Sequence, residues 1–134
     1  LVINNRMVTK QAKTTVLLIE DDPDQVLLYQ TKFRLEGFTA LTAKSGAEGI
    51  KTAIEKRPDV ILLDILMDDM DGLTVLRHLK QDKRTKAIPV FLFTNLAKQE
   101  VAEQGLALGA VAVLVKMDYT PGMVVEKVRA VVGK

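Results

Sequence analysis

The chain has 134 residues, with 19 Lys and Arg against 17 Asp and Glu for a formal charge of +2; that is enough for one domain with a real core and too little for a second independent one. It contains no cysteine, which excludes a disulfide framework and any thiolate metal site and suits a reducing cytoplasm. Aromatic residues make up only 4% and the basic residues are scattered, so no direct nucleic-acid binding is expected, and no apolar run is long enough to span a membrane.

Residues 1–13 (LVINNRMVTKQAK) lack periodicity and read as a flexible N-terminal lead, with Met7 a candidate natural start and the domain expected over 14–134. Val16 to Ile19 is then an apolar run too short for a buried helix, hence a first strand. Val26, Tyr29 and Phe33 follow helical spacing until Gly37, and Phe38 to Leu41 supplies a weaker strand. Ser45, with Glu48 three residues later, is a capping-box signature opening a helix that carries Ile50 and Ile54. Pro58 precedes a third strand, Val60 to Leu63, and Leu73, Leu76 and Leu79 mark a third helix. Ile88 to Phe93 gives a fourth strand and Ala97, Val101 and Leu108 a fourth helix. Val111 to Val115 gives a fifth strand, and Val124, Val128 and Val131 a fifth helix after Pro121.

Strands apolar on both sides, alternating strictly with amphipathic segments, predict an α/β fold: a five-stranded parallel sheet with helices on both faces. The flavodoxin-like, doubly wound order 2-1-3-4-5 is expected, with ligands at the carboxyl ends of the strands. Those ends carry a distinctive set of residues. The first strand runs into Glu20, Asp21 and Asp22, the third ends in Asp64, the fourth in Thr94 and the fifth in Lys116. Two unit charges about 4 Å apart repel by roughly 4 kcal/mol at the effective dielectric near a protein surface. Protonation would offset that cost, as would a hard cation, Mg²⁺ or Mn²⁺, held by carboxylate and carbonyl oxygens; the cation is the favoured reading. Lys116 is suited either to a structural ion pair with an acidic neighbour or to binding a phosphoryl oxygen opposite the metal. A carboxylate, a cation, a lysine and a hydroxyl together make a phosphoryl-transfer site with Asp64 as nucleophile.

The stretches VLLIEDDPD, RPDVILLDILMDDMDG, VFLFTN and LGAVAVLVK resemble the receiver domain of two-component response regulators, of the stand-alone single-domain type, over Val16 to Val132. The resemblance implies that Asp64 is the phosphoacceptor, that Asp21 ligates Mg²⁺ directly and Glu20 through water, and that the backbone carbonyl of Leu66 completes the protein ligands. Thr94 and Lys116 would contact the phosphoryl group. The implied donor is a phosphohistidine on a sensor histidine kinase or a histidine phosphotransfer protein, replaceable by small acyl phosphates. Output would pass to a protein target through the face of the fourth and fifth helices and the strand between them, from a monomer or weak dimer. Such a protein is not an enzyme beyond assisting its own phosphoryl transfer and dephosphorylation.

Several positions depart from that family's pattern. Met117 follows Lys116 where a proline with a cis bond is common; a non-proline cis bond costs about 3 kcal/mol, so a trans bond is expected. Val113 stands where many receivers carry a switch Tyr or Phe, so that relay is expected to be absent. Asn95 stands where a small residue is common, placing an amide near the site. Asp68 replaces a proline, adding charge to the loop holding Asp69 and Asp71, with a reach to the metal through water. Leu66 cannot orient an attacking water as an amide could, which predicts slow autodephosphorylation.

Other readings are weaker. The run Asp69 to Gly72 fails as a calcium loop because Met67 and His78 fall at required ligand positions. His78 is expected at the surface or the core's edge. Gly105 costs its helix about 1 kcal/mol relative to alanine, explained by a mobile helix or by close packing. A receiver-like adaptor that works without phosphorylation is the main alternative function. An enzyme or flavin carrier on this fold would need a glycine-rich phosphate loop, and the acidic run Glu20 to Asp22 occupies that place.

Overall fold

The computed structural model describes residues 13–95 and 98–133; most of the predicted lead, with Met7, and Ala97 lie outside these residues. Five strands, β1 (Thr15–Ile19), β2 (Thr39–Ala43), β3 (Val60–Leu63), β4 (Val90–Thr94) and β5 (Ala112–Val115), form one parallel sheet in the order β2-β1-β3-β4-β5. The helices are α1 (Pro23–Leu35), α2 (Gly46–Lys56), α3 (Gly72–Gln81), α4 (Gln99–Ala107) and α5 (Pro121–Val132). The expected fold class and strand order therefore hold. Side chains alternate across the sheet with period two. Val16, Leu18, Leu62, Phe91, Phe93 and Leu114 meet α1 and α5 on one face. Leu17, Ile19, Ile61, Leu63 and Leu92 face Ala53 of α2 and Val75, Leu76 and Leu79 of α3 on the other.

The boundaries shift where turn chemistry competes with apolarity. The second strand begins at Thr39 rather than Phe38, because Phe38 closes the turn after α1: its N–H donates to the Phe33 carbonyl at 2.9 Å and its ring stands edge-on to Phe33 at 5.0 Å. The fourth begins at Val90 rather than Ile88, whose N–H is taken by the Thr85 carbonyl at 3.0 Å, while Pro89 has no N–H to give. Gly37, at φ 93°, supplies the left-handed step out of α1.

Four of the helix starts carry a side-chain cap, and α4, which follows Lys98, carries none. Ser45 Oγ accepts the Glu48 N–H at 3.1 Å, but Glu48 Oε1 reaches back to the Lys44 N–H at 2.7 Å instead of to Ser45 itself. Asp22, Asp71 and Thr120 cap α1, α3 and α5. A Cβ built on Gly105 would stand 2.3 Å from Leu92 Cδ1, so close packing accounts for this glycine. The Lys116–Met117 bond is trans, as expected, and Lys116–Asp118 forms a 3-10 turn that the sequence pattern did not predict. At the far end Arg129 of α5 donates to the carbonyl and to Oε1 of Glu36 and lies 5.8 Å from the Phe38 ring centre, tying α5 to the turn after α1.

Candidate functional site

Sheet register sets the site. Ile19 sits beside both Leu63 and Ala43, and Leu63 beside Leu92. Glu20 and Asp64 therefore leave adjacent strands at the same level, their N–H groups held by the Ala43 and Ile19 carbonyls at 3.0 Å each. Thr94, the last residue of β4, pairs with Val115, and Lys116 follows at once.

Carboxylate oxygens of Glu20, Asp21 and Asp64 lie within 4.8 Å of one another. Glu20 and Asp64 are each 7% exposed, Thr94 is fully buried and Asp21 is half-buried. The Lys116 ammonium makes a short ion pair with Glu20 Oε1 and a longer one, 3.4 Å, with Asp64 Oδ2. Glu20 Oε2 also accepts the Asp22 N–H at 3.1 Å, and Asp64 Oδ1 the Leu66 N–H at 3.3 Å. Burial pushes the Glu20 carboxyl above its ordinary value; the hydrogen bonds from Lys116 and Asp22 pull it down, and the charge of Asp64 pushes it up again.

Four predicted site residues thus converge: Glu20, Asp21, Asp64 and Lys116. Lys116 lies nearer Glu20 than Asp64 and pairs with both. Leu66 contributes its N–H to Asp64 and leaves its side chain 56% exposed. Asp22, grouped with the rim acids from sequence, instead caps α1, accepting the Asp24 N–H at 3.0 Å. Asp68, Asn95 and His78 are exposed. Asp69 accepts from the Gly46 and Ala47 N–H groups at 2.9 and 3.1 Å, capping α2, and Asp71 accepts from Thr74 at the start of α3. Val113 packs against the sheet face that carries Leu92.

Sequence reasoning missed the aromatic residues beneath this site. The Lys116 ammonium lies 5.5 Å from the centre of the Phe93 ring, and Tyr29 meets that ring edge-on at 4.9 Å and 79°. Glu20, Asp64, Tyr29 and Phe93 border one small, half-open pocket. The available signal was position: Phe93 directly precedes Thr94 at a strand end, but an apolar run hides it. Burial also pushes the Tyr29 hydroxyl above its ordinary value.

Three carboxyl groups face one ammonium here, leaving negative charge in a partly buried pocket. That donor set, all hard oxygen, fits a divalent cation with oxygen preference. Among the described residues no helix is long and apolar enough to cross a membrane.

Residues 16–129 match the family described as the response regulator receiver domain. The chain is 40% identical over 101 residues to the response regulator PleD of Caulobacter vibrioides, covering 75% of this chain and only 22% of PleD. Its fold matches the chemotaxis protein CheY4 of Vibrio cholerae with a TM-score of 0.84, at 26% identity and covering 90% of this chain and 99% of that one. It also matches the CheX-CheY-BeF3-Mg complex of Borrelia burgdorferi, with a TM-score of 0.81, 28% identity and 88% of each chain covered.

Proposed function

Because the chain belongs to the receiver-domain family of response regulators, we propose that it takes a phosphoryl group onto Asp64 from a phosphohistidine on a sensor histidine kinase or a histidine phosphotransfer protein. The observation that carries this reading is the convergence of Asp64 with Glu20, Asp21 and Lys116 on one rim of the sheet. In the transfer, an Asp64 carboxylate oxygen attacks phosphorus in line with the P–N bond. The O–P bond forms as the P–N bond breaks, and the departing imidazole nitrogen keeps the electron pair.

The chain's own groups then position and neutralise. The Leu66 N–H fixes Asp64 Oδ1 and leaves Oδ2 facing Lys116. The ammonium of Lys116 has three donors, enough to turn one toward a phosphoryl oxygen while keeping a carboxylate. The Thr94 hydroxyl, at the end of β4, would donate to another. Asp21, Asp64 and the Leu66 carbonyl would hold Mg²⁺ or Mn²⁺, with Glu20 acting through water. When bound, that ion supplies neutralisation of charge on the phosphoryl oxygens. The Borrelia neighbour is a complex with BeF3 and Mg, which supports a divalent cation as a partner of this fold.

Residues 14–134 would constitute the switch, acting in the cytoplasm as a monomer or weak dimer. Its output surface is the α4–β5–α5 face, where Leu106, Val111 and Met123 are exposed. Incubation with Mg²⁺ and either acetyl phosphate or a phosphorylated histidine donor should add the mass of one phosphoryl group, and Asp64→Asn should add none. A wild-type chain that gains no mass from either donor would favour the phosphorylation-independent adaptor instead.

A further inference from the structure

Lys116 faces a conflict of partners. Its two salt-bridge partners, Glu20 and Asp64, belong to the same carboxylate group that suits a divalent cation. Once a dication shares those oxygens, the ammonium is attracted less by them and repelled by the ion. Its side chain is only 12% exposed, so water offers little compensation. The lysine nevertheless has to stay in the pocket to meet a phosphoryl oxygen.

We propose that Phe93 is a positioning residue for Lys116: its ring face, braced edge-on by Tyr29, seats the ammonium independently of the carboxylates. The geometry carries this. The ammonium lies 5.5 Å from the Phe93 centre, inside the range where a ring quadrupole attracts a cation, and the attraction grows where water is excluded. Phe93 and Tyr29 are each only 5% exposed, and their edge-to-face contact at 4.9 Å fixes the ring plane. Phe93 borders the same small pocket as Glu20 and Asp64, so the ring lies next to the acidic group. A phenyl face has no ionisable group and does not ligate a hard cation. It therefore holds the ammonium in the metal-free and metal-bound states alike. Leucine at this position would fill much of the space and supply none of that attraction.

The seat can be observed in the metal-free protein; only its kinetic consequence rests on the phosphoryl-transfer reading. In metal-free protein, the Lys116 ε-methylene protons should resonate upfield from the Phe93 ring current, and Phe93→Leu should remove that displacement. Incorporating 3,4,5-trifluorophenylalanine at position 93 keeps the ring and its packing but weakens its negative face. Both variants should slow phosphorylation by acetyl phosphate by about threefold to tenfold, the fold-change expected of one desolvated cation–π contact. Unchanged Lys116 shifts in Phe93→Leu, or a wild-type rate in the trifluorinated protein, would overturn the proposal. Should the wild-type chain accept no phosphoryl group, the phosphoacceptor reading fails, and the Lys116 shifts decide the seat by themselves.

Discussion

The loops that follow β1 and β3 are both rich in acid, and they use it in opposite ways. After β1, Glu20 turns into a pocket where it is 7% exposed and pairs with Lys116. After β3, Asp69 and Asp71 stay in solvent and accept backbone N–H groups at the starts of α2 and α3. Burial raises the Glu20 carboxyl, whereas the Gly46 and Ala47 N–H groups hold Asp69 below its ordinary range. Identical chemistry is thus divided between a buried ion pair and an exposed helix cap by solvent access and by the nearest donor. Asp64 begins the second loop but belongs to the first environment, because β3 delivers it before the chain turns outward.

The largest expected effect tests the buried half of this comparison. Lys116→Ala removes the ammonium facing Glu20 and Asp64 and should lower the rate of phosphorylation by acetyl phosphate by about 10²–10³-fold, the usual cost of one preorganised charge-stabilising donor. A loss under threefold would mean that Lys116 is only a structural partner of Glu20.

Close packing within the loop after β3 comes next. A Cβ on Gly72 would stand 2.4 Å from the Asp64 carbonyl oxygen and 2.6 Å from Ile65 Cα. Those are backbone atoms that side-chain rotation cannot clear. Gly72→Ala should therefore cost about 1–3 kcal/mol in urea unfolding, as overpacking does. It should also slow phosphorylation by displacing Asp64. Wild-type stability would show that the loop moves aside freely.

Leu66 addresses the chemistry in the same loop. Leu66→Asn should speed loss of the phosphoryl group about tenfold, a small share of what general base catalysis supplies. Following the decay of phosphorylated protein by mass measures it directly, and an unchanged lifetime would remove Leu66 as its cause.

The smallest effect concerns the exposed half. Asp69→Asn weakens the cap on α2 and should lower stability slightly without altering phosphorylation. The pH dependence separates the halves further. Asp69 has a depressed folded value, so its contribution is present above its ordinary 3.8 and is lost as pH falls through the folded value. Glu20 has a raised folded value, so in metal-free protein its ionisation erodes stability as pH rises above its ordinary 4.5. Unfolding of wild type, Asp69→Asn and Glu20→Gln across acid pH should show these opposite slopes, and parallel curves would refute the division.

The sheet and its order were legible because buried parallel strands need apolar runs such as Val60 to Leu63, and little else competes for those residues. Asp64, Asp21 and Lys116 were legible for a related reason: a strand end fixes direction and level. Asp22 was misgrouped because adjacency in sequence does not reveal which carboxylate a helix will take as its cap. Asp69 was obscure for the converse reason, since its donors at Gly46 and Ala47 lie more than twenty residues earlier and no local pattern links them. Phe93 escaped notice because a ring in an apolar strand reads as core until the side chain above it is placed.

The division of the core between two faces also bears on the order in which the chain is made. The face built on Leu17, Ile61 and Leu92 is complete among its buried members by Ala110, whereas the opposite face needs Val124, Val125 and Val128. Arg129 then clasps Glu36, 93 positions earlier. During synthesis, one side of the sheet can therefore close while Tyr29, Phe33, Phe38 and Phe93 still present a bare aromatic surface. A nascent chain is most exposed to aggregation in the interval before α5 emerges, and the same late helix covers the face on which Phe93 is packed.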